Sequence, residues 1–257
     1  MKKLIAIIMV VALAVIGCSA LAACSNTEKT LQVYTNAGFA PFEYVDTNGK
    51  VVGVDIDIMN YIGKELGYKV IINDIEFKEI LNQVQGNKFA VGAAGMSKND
   101  ERDEVAISSI VYATSVQYVI APNGTFADNA VVTLDQLLAA ANKIGIQAGT
   151  TGQYLVEDYI AAKSAANSTI EYANAIVAST DIGSTLGAVV IDELPAKSIA
   201  ASKSNLSCWK IDAEPESYVL YFNKDAGDLV KSVNTVLEKM IKDGTINQYI
   251  INHSNGN

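Results

Sequence analysis

The chain has 257 residues, half of them hydrophobic, and a formal charge of −9. Such an acidic chain is a poor match for a phosphate backbone, which argues against nucleic acid as a partner. A single histidine, His253 in the polar ending HSNGN, argues against a His-rich metal site or a Ser-His-Asp triad, and no metal or cofactor is expected.

In chain order, MKK followed by LIAIIMVVALAVIG reads as an export signal, residues 1–23, that is not part of the fold. LAAC at residues 21–24 resembles a lipobox and makes Cys24 the candidate lipidated residue, with VIGC, ending at Cys18, as a second match. The alternative is an uncleaved membrane anchor, since about 20 residues can just span a bilayer. Loss of Lys2 and Lys3 with the leader would take the charge from −9 to −11. Processing at Cys24 would leave Cys208 as the only other cysteine, read as a small buried apolar side chain without a disulfide partner.

After a polar linker at residues 24–30, LQVYTNA reads as a strand. VDIDIMNYIGKELGY puts Ile58, Met59, Ile62 and Leu66 on one helical face, with Gly67 as the stop. YKVIIND is a strand, FKEILNQVQG a helix carrying Phe77, Ile80, Leu81 and Val84, and FAVGAAGM a short strand leading into GMSKNDER. A second series begins with the strand SVQYVIAP, a Thr133–Gln136 capping box and the helix LDQLLAAAN. KIGIQA is a strand, GTTG a tight loop, QYLVEDYIAAKS a helix, and GAVVID a strand running into ELPAKS. CWKID and YVLYFNKD are the last strands. The final long helix, residues 228–242, is expected to bury Leu229, Val233, Val236, Leu237, Met240 and Ile241.

This alternation predicts an α/β fold with largely parallel sheets, and the two series suggest two lobes. Ligands of such folds sit at the C-terminal ends of strands, so GMSKNDER, GTTG and the end of GAVVID could face one cleft. Arg102 is the only arginine beside 18 lysines. Its flat fork matches a carboxylate with two parallel hydrogen bonds, whereas lysine is a point charge; alternatively it is a surface residue paired with Asp103 or Glu104. The N–H groups of GTTG suit an anion, or Thr150 or Thr151 simply caps the helix. Asp192 either neutralises an ammonium group or caps the helix after it. Together these describe sockets for the two charged ends of a free α-amino acid. Phe39 and Phe42 flank Pro41, and Phe77 starts a helix; an exposed aromatic there could cover an apolar stem, with core packing the alternative, more so for Phe42.

TNAGFAPFEY, GKVVGVDIDIMNYIGKELG, GMSKNDER, IGIQAGTTG, AVVIDELPA and MIKDGTINQYI stand in this order across residues 31–249. On these motifs the chain resembles the amino-acid-binding lipoproteins of bacterial ABC importers, the family-3 extracellular solute-binding proteins. The resemblance implies a two-lobed, type II periplasmic-binding-protein-like fold with its ligand cleft between the lobes. Lobe 1 would hold residues 31–114 and 218–257 and lobe 2 residues 115–217, with crossings near Thr114 and Ser217. It implies a monomeric, non-enzymatic receptor, lipid-anchored on the extracytoplasmic face of the cell membrane, that delivers an amino acid to an ABC permease and its ATPase.

By position, the resemblance puts Arg102 on the ligand carboxylate, with the N–H and hydroxyl of Thr151. Ser97 and the backbone of Gly95 fall near both charged ends, Asp192 on the α-ammonium, and Phe39 and Phe77 around the ligand side chain. Asn36 stands where members selective for cationic side chains carry an acid, which points to a neutral or polar amino acid, cystine among them. Asp100 and Gly187 depart from the family pattern at scaffold positions. Two other activities fit the same fold: a sensor, or an exported dehydratase-like enzyme with Glu43 or Glu193 as its general acid or base.

Overall fold

The computed structural model describes residues 29–255, so the leader, Cys18, Cys24 and the start of the linker lie outside the described residues. The chain first runs through β1 (Thr30–Thr35), a small hairpin of β2 (Tyr44–Val45) and β3 (Val51–Val52), α1 (Val54–Leu66) and β4 (Lys69–Asp74). A 3-10 turn at Phe77–Glu79 leads into α2 (Ile80–Gly86), followed by β5 (Ala90–Gly92), α3 (Asp100–Val105), β6 (Ile107–Ser108) and β7 (Ala113–Ser115). Next come β8 (Gln117–Pro122), β9 (Val131–Val132), α4 (Leu134–Ala140), β10 (Lys143–Gln147), α5 (Thr151–Lys163), β11 (Ser168–Tyr172) and α6 (Ala175–Ala178). β12 (Ala188–Asp192), α7 (Glu193–Ser202) and β13 (Leu206–Ile211) complete this series. The return path is β14 (Glu216–Tyr218), β15 (Tyr221–Phe222), α8 (Gly227–Lys242) and α9 (Thr245–Ser254).

Two main sheets result, of strand order β4-β1-β5-β15-β6 and β11-β10-β12-β8-β13-β9. They are mixed, not largely parallel as the alternation suggested. β1 pairs in parallel with β4 and β5, and β10 with β11 and β12, whereas β15 and β8 run antiparallel to both of their neighbours. The exceptions have one cause. β8 and β15 are the first strands after the crossings β7 and β14, so each enters its sheet from the junction. Hence Gln117 at the start of β8 faces Asp192 at the end of β12, and Tyr221 faces Gly92 at the end of β5.

Each sheet buries apolar residues on both faces. Leu31 and Val33 pack with Ile58, Met59 and Ile62 of α1 and Val233, Leu237 and Met240 of α8, while Ile80 and Val84 of α2 cover the other face with Ala90 and Tyr221. In the second lobe Val119, Ile144 and Ile146 pack with Val156, and Ile120, Val189 and Ile191 pack with Ala178 and Ile199. Val119 and Ile120 fall on opposite faces because side chains alternate along a strand. Full burial of such a side chain contributes about 1.5–3 kcal/mol, so each lobe has its own core. α1 ends at Gly67, whose φ of 72° only glycine adopts without strain.

Three further expectations are corrected. Ile241 is 44% exposed, and Val230 joins the buried stripe of α8 instead; Val230, Val233, Leu237 and Met240 keep helical spacing, and Ile241 lies one residue round the helix from it. YVLYFNKD is two strands, because β14 pairs with β7 while β15 pairs with β5 and β6. Cys208 is only half-buried; its thiol is free, and burial pushes it up from its ordinary pKa. No described helix is long and apolar enough to cross a membrane. β7 and β14 form a two-stranded antiparallel ladder between the sheets, with Ser115 opposite Glu216 and Thr114 opposite Ser217.

Candidate functional site

At the junction, the ends of β1, β5, β10 and β12 open onto one cavity. Asn36, Phe39, Phe77, Gly95, Ser97, Arg102, Thr151 and Asp192 all line it, so the structure brings every sequence-derived ligand contact to one wall or the other. Phe42 does not: it is buried in the core with its ring edge-on to Tyr218.

Arg102 is buried on α3, which Asn99 caps by accepting the Arg102 N–H at 2.8 Å. Nη1 donates to the Ser97 carbonyl at 2.7 Å and Nη2 to the Gly149 carbonyl at 3.0 Å, with the guanidinium 5.4 Å from the centre of the Phe77 ring. Among the described residues Arg102 forms no ion pair; Asp103 is paired with Lys98 instead. A guanidinium has five N–H donors, and these carbonyl contacts leave donors for a ligand.

Across the cavity, Asp192 occupies the N-cap position of α7, yet its side chain makes no capping bond. Its carboxylate accepts from the Gln117 amide and the Tyr218 hydroxyl. Burial, and then the negative charge of Glu216, push its pKa up to about 7. Capping of α5 falls to Thr150, which accepts the Gln153 N–H. The hydroxyl of Thr151 donates to Glu216 at 2.8 Å, and Ser97 donates to the same carboxylate oxygen.

Gly95 has a φ of 53°, and its N–H donates to Asp55 at 2.8 Å. Asp55 also accepts from Tyr112, and burial pushes it up to about 6. A Cβ at Gly95 would lie 2.6 Å from the Phe39 ring, so glycine lets that aromatic lie against the backbone. Asn36 donates to the Ile75 carbonyl at 2.7 Å and accepts from Gln147 at 2.8 Å, a bond between the lobes.

Glu43 is fully buried on the cavity wall, and both its carboxyl oxygens are without a hydrogen-bond partner among the described residues. Burial, followed by the charges of Asp55, Asp192 and Asp74, pushes it well above the usual carboxylate range. Glu193, by contrast, is bound by Lys197 and Tyr118 away from the cavity. Sequence reasoning missed Gln117, Gln147, Glu216 and Tyr218, of which only Gln147 stands in a recognisable motif, IGIQAGTTG. Among the described residues no group of three or more His, Cys, Asp or Glu side chains is arranged to hold a metal.

The profile described as "Bacterial extracellular solute-binding proteins, family 3" matches residues 31–253. A "Probable histidine-binding protein" of Neisseria gonorrhoeae is 26% identical over 89% of this chain and 84% of its own length. An ancestral arginine-binding protein solved with arginine superposes with a TM-score of 0.79 at 29% identity, covering 88% of this chain and 98% of that one. An ancestral arginine-binding protein solved with glutamine gives a TM-score of 0.78 at 29% identity, over 88% of this chain and 98% of that one.

Proposed function

Because the chain belongs to the bacterial extracellular solute-binding proteins of family 3, we propose that it captures a free α-amino acid between its lobes, holding the carboxylate with Arg102 and the α-ammonium with Asp192. The observation that carries this reading is the pair itself: a buried guanidinium and a buried carboxylate, one on each side of a single cavity. A buried charge is costly unless paired, and an amino acid carries both counter-charges on one carbon. Phe39 and Phe77 then flank the ligand side chain. Residues 31–114 with 218–257 and residues 115–217 act as the two lobes, hinged at β7 and β14. The protein acts as a monomeric receptor, without cofactor or chemistry, anchored through Cys24 on the extracytoplasmic face, and passes its ligand to an ABC permease and ATPase.

Asn36, an amide already engaged with Gln147 and Ile75, supports a neutral or polar ligand, cystine among them. A second reading, a cationic side chain, is favoured by Glu43, because an unpartnered buried carboxyl needs N–H donors. The enzyme alternative loses Glu193, which is engaged off the cavity, and rests on Glu43 alone.

Titration calorimetry with arginine, histidine, glutamine and cystine tests these readings. Arg102→Ala should lose roughly 30-fold to several thousand-fold in affinity, the cost of truncating a desolvated charge pair, and Arg102→Lys should also weaken binding. Unchanged affinity in Arg102→Ala would remove the carboxylate assignment. Tightest binding of arginine, lost in Glu43→Gln, favours the cationic reading. Preference for glutamine or cystine, unmoved by Glu43→Gln, favours the neutral one.

A further inference from the structure

Glu216 lies on the crossing strand β14, behind the cavity wall and not part of it. Three groups of that wall nevertheless point back to it. The hydroxyls of Ser97 and Thr151 both donate to its Oε2, and the Gln117 amide donates to its Oε1 at 3.0 Å while also donating to Asp192. A hydroxyl has one proton. Once that proton is given to Glu216, the oxygens of Ser97 and Thr151 have only lone pairs left to offer a ligand.

Building on the amino-acid-binding reading, we propose that Glu216 sets the polarity of the site: from behind the wall it turns the Ser97 and Thr151 hydroxyls into acceptors, so that the ligand's ammonium group, and not its carboxylate, lies against them. The hydroxyl role that the family resemblance implies for Thr151 is thereby reversed, and the carboxylate end is left to Arg102 and backbone N–H groups. The acceptor end gains depth from Gln117, whose Oε1 is buried and without a partner among the described residues. An ammonium group has three N–H donors and needs several acceptors; Asp192, the two hydroxyl oxygens and this amide oxygen supply them. Glu216 is thus a positioning residue. Its position on the crossing strand also explains its reach: Ser97 belongs to the first lobe and Thr151 and Gln117 to the second, so the full set of bonds forms only where the lobes meet.

The test compares two ligands on the full chain: the tightest binder among arginine, histidine, glutamine and cystine, and its des-amino analogue, which keeps the carboxylate but lacks the ammonium. Glu216→Gln keeps size but replaces one acceptor oxygen by an N–H₂, which either faces the two hydroxyls or opposes the donating Gln117 amide, while Glu216→Ala removes the acceptor altogether. Both variants should weaken the free amino acid by about tenfold or more and change the analogue by less than about threefold, with Glu216→Asp restoring part of the loss. The ratio of affinities is the readout, so a weak analogue is measured by displacement of the free amino acid, and melting curves verify that each variant is folded. Equal weakening of both ligands would reduce Glu216 to a structural strut, and no change in either would mean that its bonds do not orient the hydroxyls. Should wild-type protein bind none of the four amino acids, the amino-acid-binding reading itself fails and this inference falls with it.

Discussion

At Asp192 the proposed ammonium contact predicts opposite pH dependences for the protein alone and for its complex. Burial and the neighbouring Glu216 push its pKa up to about 7, whereas an unfolded aspartate titrates near ~4. Between these values the folded chain holds a proton that the unfolded chain has lost, so stability of the protein alone should rise as pH falls from about 7 towards about 4. Asp55, pushed up to about 6 by burial, adds to the same slope. A ligand ammonium needs Asp192 ionised, so below about pH 7 binding must release a proton and affinity should fall, by up to about tenfold per pH unit. Calorimetry from about pH 5 to about pH 8 in buffers of different ionisation heat measures both the affinity and the proton released. Asp192→Asn should abolish the proton release and weaken free amino acids more than their des-amino analogues. Flat affinity across that range would mean that no ammonium group reaches Asp192.

At the scale of elements, the site is built from short segments that follow strands, and their backbone geometry is as specific as their side chains. Gly95 combines a φ of 53° with a Cβ direction only 2.6 Å from the Phe39 ring. Gly95→Ala should therefore cost about 1–3 kcal/mol in stability and weaken ligand binding by displacing the aromatic; chemical denaturation and titration of the same sample check both. Wild-type stability in Gly95→Ala would show that Phe39 moves aside freely. The positions of GMSKNDER, GTTG and Asp192 were legible in the sequence because each directly follows an apolar strand, and strand ends are where such folds keep their sites. Helical faces were legible from spacing, apart from the one-residue drift to Ile241. Glu216 and Gln117 were not, for a physical reason. Gln117 reaches Asp192 across 75 residues and Glu216 across 99, by strand register and by the path of the returning chain. Local pattern records which face of a strand is buried, but not which distant strand will lie beside it.

For the molecule as a whole, the two lobes have separate cores joined by the β7–β14 ladder, with Phe39 packed against a cluster of each. Across the cleft, Gln147 donates to Asn36 at 2.8 Å and Arg102 donates to the Gly149 carbonyl at 3.0 Å. Each such bond contributes a net of about 0.5–1.5 kcal/mol, enough to bias a two-state hinge without locking it. A ligand bridging Arg102 and Asp192 adds contacts that exist only when the lobes are together, which is the differential affinity a population shift requires. Small-angle scattering should accordingly give a smaller radius of gyration with ligand than without it. Gln147→Ala removes one cross-cleft bond without touching the charged ends of a ligand. It should enlarge the ligand-free radius, leave the saturated radius as in wild type, and weaken an amino acid and its des-amino analogue by the same factor, up to about tenfold. A ligand-free radius unmoved by Gln147→Ala, together with no contraction of wild type at saturation, would mean that the lobes are already fixed in one position and that ligand enters without a hinge.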